Sequence, residues 1–365
     1  MKNFKGLFFI LSMVFLLSAC SEDGKEASSG TAKEETFTLK YNSAFLPSSE
    51  DWQAKSLATE KFAKLVEERS EGRIKIDIFY SNQLAGQAES LDALAKGTID
   101  LQNITPVAWG DKIPEGSFTA LPYWNINEEH SLYIMRETEI GEQYEEVTEN
   151  YGVKILSYWP ASATGYMSNK PIRNVSDLKG MTMNMSSDLL AGFYKEAGIG
   201  IATIPYAEQY EGLLRGTLDG IQFPFSSLKD YKLAEVVDYI TKPATISPAL
   251  GIVAISQKTL NKLPEDLQKI LIDTALEMEN EGIAASKRLT EESILYAQEN
   301  NVEIVNMTKE AYEEIQELHK KTTWANYATK NERTKKMVDL LDEETEKWKK
   351  ENPEMVEEFE KSLGN

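Results

Sequence analysis

The chain of 365 residues carries 59 acidic against 39 basic side chains, a formal net charge of −20, and two histidines. No stretch concentrates Lys and Arg, which excludes a nucleic-acid partner, because neutralising phosphates needs a basic face. At 41% hydrophobic and 10% aromatic residues, the composition is that of a folded globular protein long enough for two domains.

The N-terminal stretch MKNFKGLFFILSMVFLLSAC sets Lys2 and Lys5 before an apolar run from Leu7 to Leu17. That run falls well short of the roughly 20 residues that cross a bilayer, so it reads as an export signal. Its LSAC ending resembles a bacterial lipobox, which predicts a lipoprotein signal peptide over 1–19 and lipid attachment at Cys20. Cys20 is the only cysteine, so neither an intrachain disulfide nor a cysteine metal site is available. Residues 20–36 are polar and aperiodic and predict a flexible tether.

From Phe37 the pattern becomes α/β. Strand FTLKYNSAF leads to a helix over 52–69, a strand over 73–80, a helix over 88–96 and a strand over 98–104. A long helix over 128–150 follows, then strands over 153–159 and 165–169. A second unit starts near Asn169, with a strand in DLKGMTMNM, a helix over 188–197, strand GIATIP, a helix over 208–216 and strand TLDGIQFPF. ALGIVAIS reads as a strand, the chain is then nearly all helix from Pro264 to residue 300, and VEIVNM interrupts before further helices. This alternation predicts parallel sheets covered by helices. Residues 331–365, highly charged with widely spaced Trp348, Met355 and Phe359, predict a wrapping surface helix.

One motif occurs twice: ALAKGTIDLQNITP (93–106) returns as GLLRGTLDGIQFPF (212–225). In each, a helix ends on a basic residue, Gly97 or Gly216 takes the left-handed turn, and a strand begins. Asp100 and Asp219 are expected to hydrogen-bond the loop and the strand start. As an acid pair they could in principle do acid/base work, and a competing reading is an extracellular hydrolase using paired carboxylates, for which only the abundance of acids speaks. Other catalytic patterns are missing: His130 and His319 form no H-E-x-x-H pair, there is no G-x-S-x-G elbow and no phosphate loop. GIGIAT (198–203) lacks the third glycine of a dinucleotide fingerprint and lies between helix and strand, so it reads as a helix stop. No cofactor and no metal are expected.

Four ordered blocks, TEKFAKLVEERSEGRIKIDIFYSNQLAGQAESLDALAKGTIDL (59–101), LPYWNINEEH (121–130), NKPIRNVSDLKGMTMNM (169–185) and YAEQYEGLLRGTLDGIQFP (206–224), carry a resemblance. Together they resemble the substrate-binding proteins of TRAP (tripartite ATP-independent periplasmic) transporters, C4-dicarboxylate-binding type, over about residues 37–330. The resemblance implies a two-lobe α/β clamp of the type II periplasmic-binding-protein class. Lobe I would comprise 37–160 plus 247–288, lobe II 161–246 plus 289–330, with 331–365 as the surface helix. It further implies a monomeric extracytoplasmic receptor, lipid-anchored to the outer face of the bacterial cell membrane, that passes a small organic acid to the membrane subunits of a TRAP permease.

The sequence departs from the family at the ligand. Where the family presents a carboxylate-gripping arginine after DLKG, this chain has Asn184; Thr164 stands near a second arginine position, and Phe223 replaces an asparagine. The expected ligand residues are Asn42, Gln83, Asn103 and Trp109 from the first lobe and Thr164, Tyr166, Asn184, Gln222 and Phe223 from the second. Two ligand classes are open. An acid would be held by Asn184, Thr164, Gln222 and the amides of the helix that opens at SSDLL, Asp188 notwithstanding. A neutral, zwitterionic or cationic solute would sit among Trp109, Trp124, Tyr158, Trp159, Tyr166 and Phe223, as in a sensor that presents its ligand to a receptor kinase.

Overall fold

The computed structural model describes residues 35–48, 50–185, 187–205, 208–361 and 363–364; the expected signal peptide, Cys20 and nearly all of the expected tether lie outside them. Eleven strands are described: β1 (Phe37–Ser43), β2 (Ile74–Phe79), β3 (Leu101–Ile104), β4 (Val153–Pro160), β5 (Thr164–Ser168), β6 (Thr182–Asn184), β7 (Gly200–Ala202), β8 (Gly220–Pro224), β9 (Tyr239–Lys242), β10 (Leu250–Ser256) and β11 (Glu303–Asn306). They form a first sheet in the order β2-β1-β3-β10-β4 and a second in the order β11-β9-β5-β8-β6-β7.

Both sheets are mixed rather than parallel. In the first, β1 is parallel to β2 and β3, while β10 lies antiparallel to both β3 and β4. In the second, β5 runs antiparallel to β8 and β9, and β6 is parallel to β7 and β8. The chain leaves the first sheet at β4, builds β5 to β9 of the second, and returns to the first as β10, which points the opposite way, before β11 completes the second sheet. Every residue of β10 is buried, which explains why LGIVAIS is an unbroken apolar run.

Helices cover the sheets. Ala54–Ser56, a π turn at Leu57–Lys61 and Phe62–Arg69 follow one another, and the 35-residue helix Glu265–Glu299 packs on β4, on Phe62–Arg69 and on elements of the second sheet. The helix expected over 128–150 is two helices, Glu128–Glu137 and Glu139–Asn150. Thr138 breaks it: its backbone is extended (φ −124°, ψ 160°) and its hydroxyl accepts from the Ile140 N–H as an N-cap. Gly141 then backs onto the Met135 carbonyl, where no Cβ fits. The C-terminal helix is likewise split, into Glu332–Glu351 and Pro353–Lys361, because Pro353 cannot donate to the turn before it.

The first sheet has an apolar layer on each face. Tyr41, Phe62, Trp159 and the long helix's Leu267, Leu271 and Met278 form one; Ile104, Trp109, Trp124, Tyr144, Tyr158 and the C-terminal Tyr327, Met337 and Leu341 form the other. A partly buried cation sits at their border. Arg136 donates to Glu279 of the long helix at 2.7 and 3.0 Å and to Glu145 at 3.0 Å, with its guanidinium 4.5 Å from the centre of the Tyr158 ring. Removing Arg136 would leave the buried Glu279 carboxylate without its cation, the strongly destabilising case.

Both histidines are core residues. His319 stacks on Phe193 with ring centres 3.6 Å apart and shares a hydrogen bond with the Thr323 hydroxyl, and His130 lies against Trp348 at 4.9 Å. Burial depresses each imidazole to about 3, with Lys349 adding to the effect at His130. The unfolded chain binds a proton at each ring near pH 6.5 while the folded chain stays neutral. Stability is therefore complete above pH 6.5 and is lost as pH falls below it, by about 1.4 kcal/mol per pH unit per histidine. Urea midpoints measured from pH 7 to pH 4 should fall steeply, and His319→Gln should flatten that slope by about half.

Candidate functional site

The repeated motif is a positioning device, and the structure shows how it works. Gly97 (φ 74°) and Gly216 (φ 67°) both take the left-handed turn. Asp100 then accepts from the Lys40 N–H of β1 at 2.8 Å and from the Thr259 hydroxyl. Asp219 accepts from the Thr182 N–H of β6 at 2.8 Å and from the Lys170 ammonium at 2.7 Å. Burial favours protonating Asp219, but Lys170 and the Thr182 N–H outweigh it and hold the carboxyl below its usual range. Each aspartate thus fastens a neighbouring strand's backbone and works as a clip, not as a proton carrier.

Two short strands pass side by side between the sheets. The Ala161 N–H donates to the Ala249 carbonyl at 2.8 Å, and Thr164 and Ile246 exchange backbone bonds of 2.9 and 3.1 Å. The long helix is hydrogen-bonded to the same crossing: Ser286 donates to the Ala161 carbonyl, and the Ala163 N–H donates to the Thr290 hydroxyl at 3.0 Å. Candidate side chains lie at the strand ends next to this crossing.

In the first sheet the expected asparagines are fully engaged. Asn42 donates to the Ala85 carbonyl and to Gln102 and accepts from the Leu84 N–H, which ties the 84–85 loop to β1 and β3. Asn103 donates to the Thr59 hydroxyl at 2.7 Å and accepts from the Trp159 indole at 2.9 Å. Gln83 is exposed on that loop. The sequence offers no sign of Trp159 and Thr59 as Asn103's partners, because all three are far apart in the chain.

The second sheet leaves polar atoms open. The Thr164 hydroxyl is buried without a partner, although the residue is only 7% exposed. Asn184 spends its carbonyl on the Ile204 N–H at 2.8 Å, and its amide nitrogen has no partner among the described residues. Gln222, cross-strand from Tyr166, donates to Thr245, whose hydroxyl donates to the Thr164 carbonyl at 3.0 Å. Tyr166 is buried, and that burial, with Tyr194 nearby, pushes its phenol up. Phe223 is half-buried and meets Tyr231 edge-on at 5.6 Å.

Three expected aromatics are core instead. Trp109 is 2% exposed and donates to the Ser90 hydroxyl, Trp124 donates to the Thr119 carbonyl, and the Tyr158 ring already carries Arg136 while its hydroxyl meets Glu145. An aromatic box of all six rings does not form. The helix start at SSDLL is also occupied, since the Ser187 hydroxyl accepts from the Leu189 N–H and the first turn is a 3-10 turn over Asp188–Leu190. Among the described residues no His, Cys, Asp and Glu cluster could hold a metal ion. No helix among them is long and apolar enough to cross a membrane.

Two mixed α/β sheets joined by crossing strands, with polar strand ends at the junction, define a two-lobe solute-binding protein of type II architecture. The bacterial extracellular solute-binding protein family 7 model matches residues 47–331, and the chain belongs to that family, whose members are extracytoplasmic receptors of the TRAP type. A solute-binding protein of Albidiferax ferrireducens is 26% identical over 286 residues, 76% of this chain and 83% of its own. Two solved TRAP periplasmic solute-binding proteins share the fold. One from Rhodoferax ferrireducens, with bound malonate, has a TM-score of 0.76 at 23% identity, covering 84% of this chain and 98% of its own. One from Chromohalobacter salexigens, with bound D-glucuronate, has a TM-score of 0.74 at 19% identity, covering 84% and 99%.

Proposed function

We propose that the protein captures a small organic acid between its two sheets and passes it to a TRAP permease, without catalysing a reaction. The carrying observation is that one solute-binding family model spans β2 to β11, and hence both sheets and both crossing strands. Malonate and D-glucuronate, bound by the two structural neighbours, are both carboxylates, which supports the acid over a cation. The loss of the six-ring aromatic cluster supports the same choice. In this reading lobe I is 37–160 plus 247–288 and lobe II is 161–246 plus 289–330, with the C-terminal helices as a surface layer. Thr164, Tyr166, Asn184, Gln222 and Phe223 meet the ligand, while Asn42 and Asn103 hold the opposite wall in place. The receptor acts as a monomer.

Ligand that binds only the folded chain raises the melting temperature in proportion to the logarithm of its concentration. A thermal-shift screen with malonate, D-glucuronate, orotate and pyroglutamate should give at least one such titration. No shift from any of them at 10 mM, about a hundred times a Kd of roughly 100 μM and thus a stabilisation of about 2.7 kcal/mol, would contradict the acid reading.

We further propose that Cys20 carries a lipid and tethers the receptor to the outer face of the cell membrane. Diacylglyceryl attachment supplies two chains, which is what stable retention takes. Cys20→Ala should move the protein from the membrane fraction to the soluble fraction, whereas full retention of the variant would assign anchoring to the apolar segment itself.

A further inference from the structure

The last two helices of the chain lie beyond residue 331, where the family match ends. They hold on to different sheets. Glu332–Glu351 packs on Glu128–Glu137 and Glu139–Asn150, the helices that cover β4 of the first sheet. It buries Met337, Leu341 and Trp348, and Arg333 pairs with Glu146 at 3.0 Å. Asn352 and Pro353 then turn the chain into Pro353–Lys361, whose first turn still meets Asn127 through Met355 at 3.6 Å. Its far end has changed sides. Phe359 meets the Tyr312 ring edge-on at 5.5 Å, Glu360 accepts from Lys309 at 3.1 Å, and the Gly364 N–H donates to the Met307 carbonyl at 2.7 Å. Met307 belongs to the apolar cluster of Tyr166 and Met183, and Tyr312 packs against it, so this end is fastened to the second sheet.

The two ends are held unequally. The arm on the first sheet has four buried residues, whereas Pro353–Lys361 has none; Met355, Val356 and Phe359, on one of its faces, are half-buried. The Lys309–Glu360 pair is exposed and contributes little. Segments with few buried contacts open locally at low cost while the rest of the molecule stays folded, so the tip can leave the second sheet without loosening the arm. The seat of the tip is next to the crossing. Tyr312 stands between Phe359 and Tyr123, whose ring it meets at 5.1 Å. Tyr123 is held in the left-handed region (φ 63°), costly for a bulky side chain, and its N–H donates to the Thr245 carbonyl at 2.6 Å. Thr245 precedes Ile246 of the crossing and receives Gln222, so the tip bears on the crossing through two rings.

We propose that the helix Pro353–Lys361 is a latch, carried on the first sheet and docked on the second, which restrains the hinge while docked and frees it on release. The inference rests on the reading of the two sheets as lobes that close on a solute. A hinge turns one sheet relative to the other, so a contact that bridges them must bend or let go. The elbow is not a free joint. Asn352 donates both its backbone N–H and its side-chain amide to the Trp348 carbonyl at 2.9 Å, and Pro353 has a fixed φ. The lightly held tip at Tyr312 and Met307 is therefore the contact that yields.

Pulsed electron resonance between spin labels at Lys75→Cys and Lys195→Cys, exposed positions on β2 and on the helix Ala191–Ala197 beside the second sheet, reads the distance between the sheets. The parent is the full chain with Cys20→Ala, which removes the one native cysteine. Phe359→Ala removes the ring contact, and Gly364→Pro removes the N–H that reaches Met307. Each should broaden the distance distribution of the ligand-free protein. Hydrogen exchange of the amides in Pro353–Lys361 should quicken about fivefold in Phe359→Ala, as expected for one lost aromatic pair. If Phe359→Ala does not fold, Gly364→Pro decides alone. Variants that keep the parent's distribution, while saturation with the acid of largest thermal shift does move it, would overturn the latch and leave the hinge reading intact. One distribution shared by parent and variants, unmoved by that acid, would overturn both.

Discussion

The structure depends on the antiparallel insertion of β10 between β3 and β4. Because that strand belongs to the first sheet but follows β5 to β9 of the second, the chain crosses at 161–164 and again at 246–249, before the long helix carries it back to β11, and those two crossings are fastened to each other by the Ala161–Ala249 and Thr164–Ile246 backbone bonds. A paired crossing of a few residues can bend where two sheets cannot, so it defines an axis for hinge motion. It also places the start of β5 beside the end of β4. Thr164 and Trp159, five residues apart, thereby belong to different sheets, the second and the first.

Around that axis the polar groups divide by task. On the first wall the side-chain nitrogen and oxygen of Asn42 and of Asn103 are each engaged, with Ala85, Gln102, Leu84, Thr59 and Trp159. On the second wall the Thr164 hydroxyl is buried without a partner, and the Asn184 amide nitrogen has none among the described residues. A buried polar atom without a partner costs free energy that a ligand can return on binding. In the proposed reading one wall is held rigid and the other is completed by the solute. Arg136, clamped between Glu279 and Glu145, stiffens the same wall from behind by joining the long helix to the helices behind β4.

Much of the fold was legible in the sequence because its signals are local. The Gly-Thr-x-Asp motif shows in the letters, and both copies form the same glycine turn and aspartate clip. Strand direction is not local, so the mixed character of the sheets was invisible, as was β9, whose four residues are too short for a period to register. Thr138 and Gly141 broke a helix whose hydrophobic spacing ran straight through them. At the site the difficulty was chemical. A tryptophan has the same letter in a core as in a cleft, and only its neighbours show that Trp109 and Trp124 are structural while Trp159 borders the junction.

The central claim is that the two sheets are lobes that close on a bound acid. Small-angle X-ray scattering of the protein alone, and saturated with whichever tested acid gives the largest thermal shift, addresses it directly. Hinge closure predicts that the radius of gyration contracts on saturation while the scattering remains that of a monomer. An acid that binds and stabilises the protein yet leaves the radius unchanged would contradict the clamp.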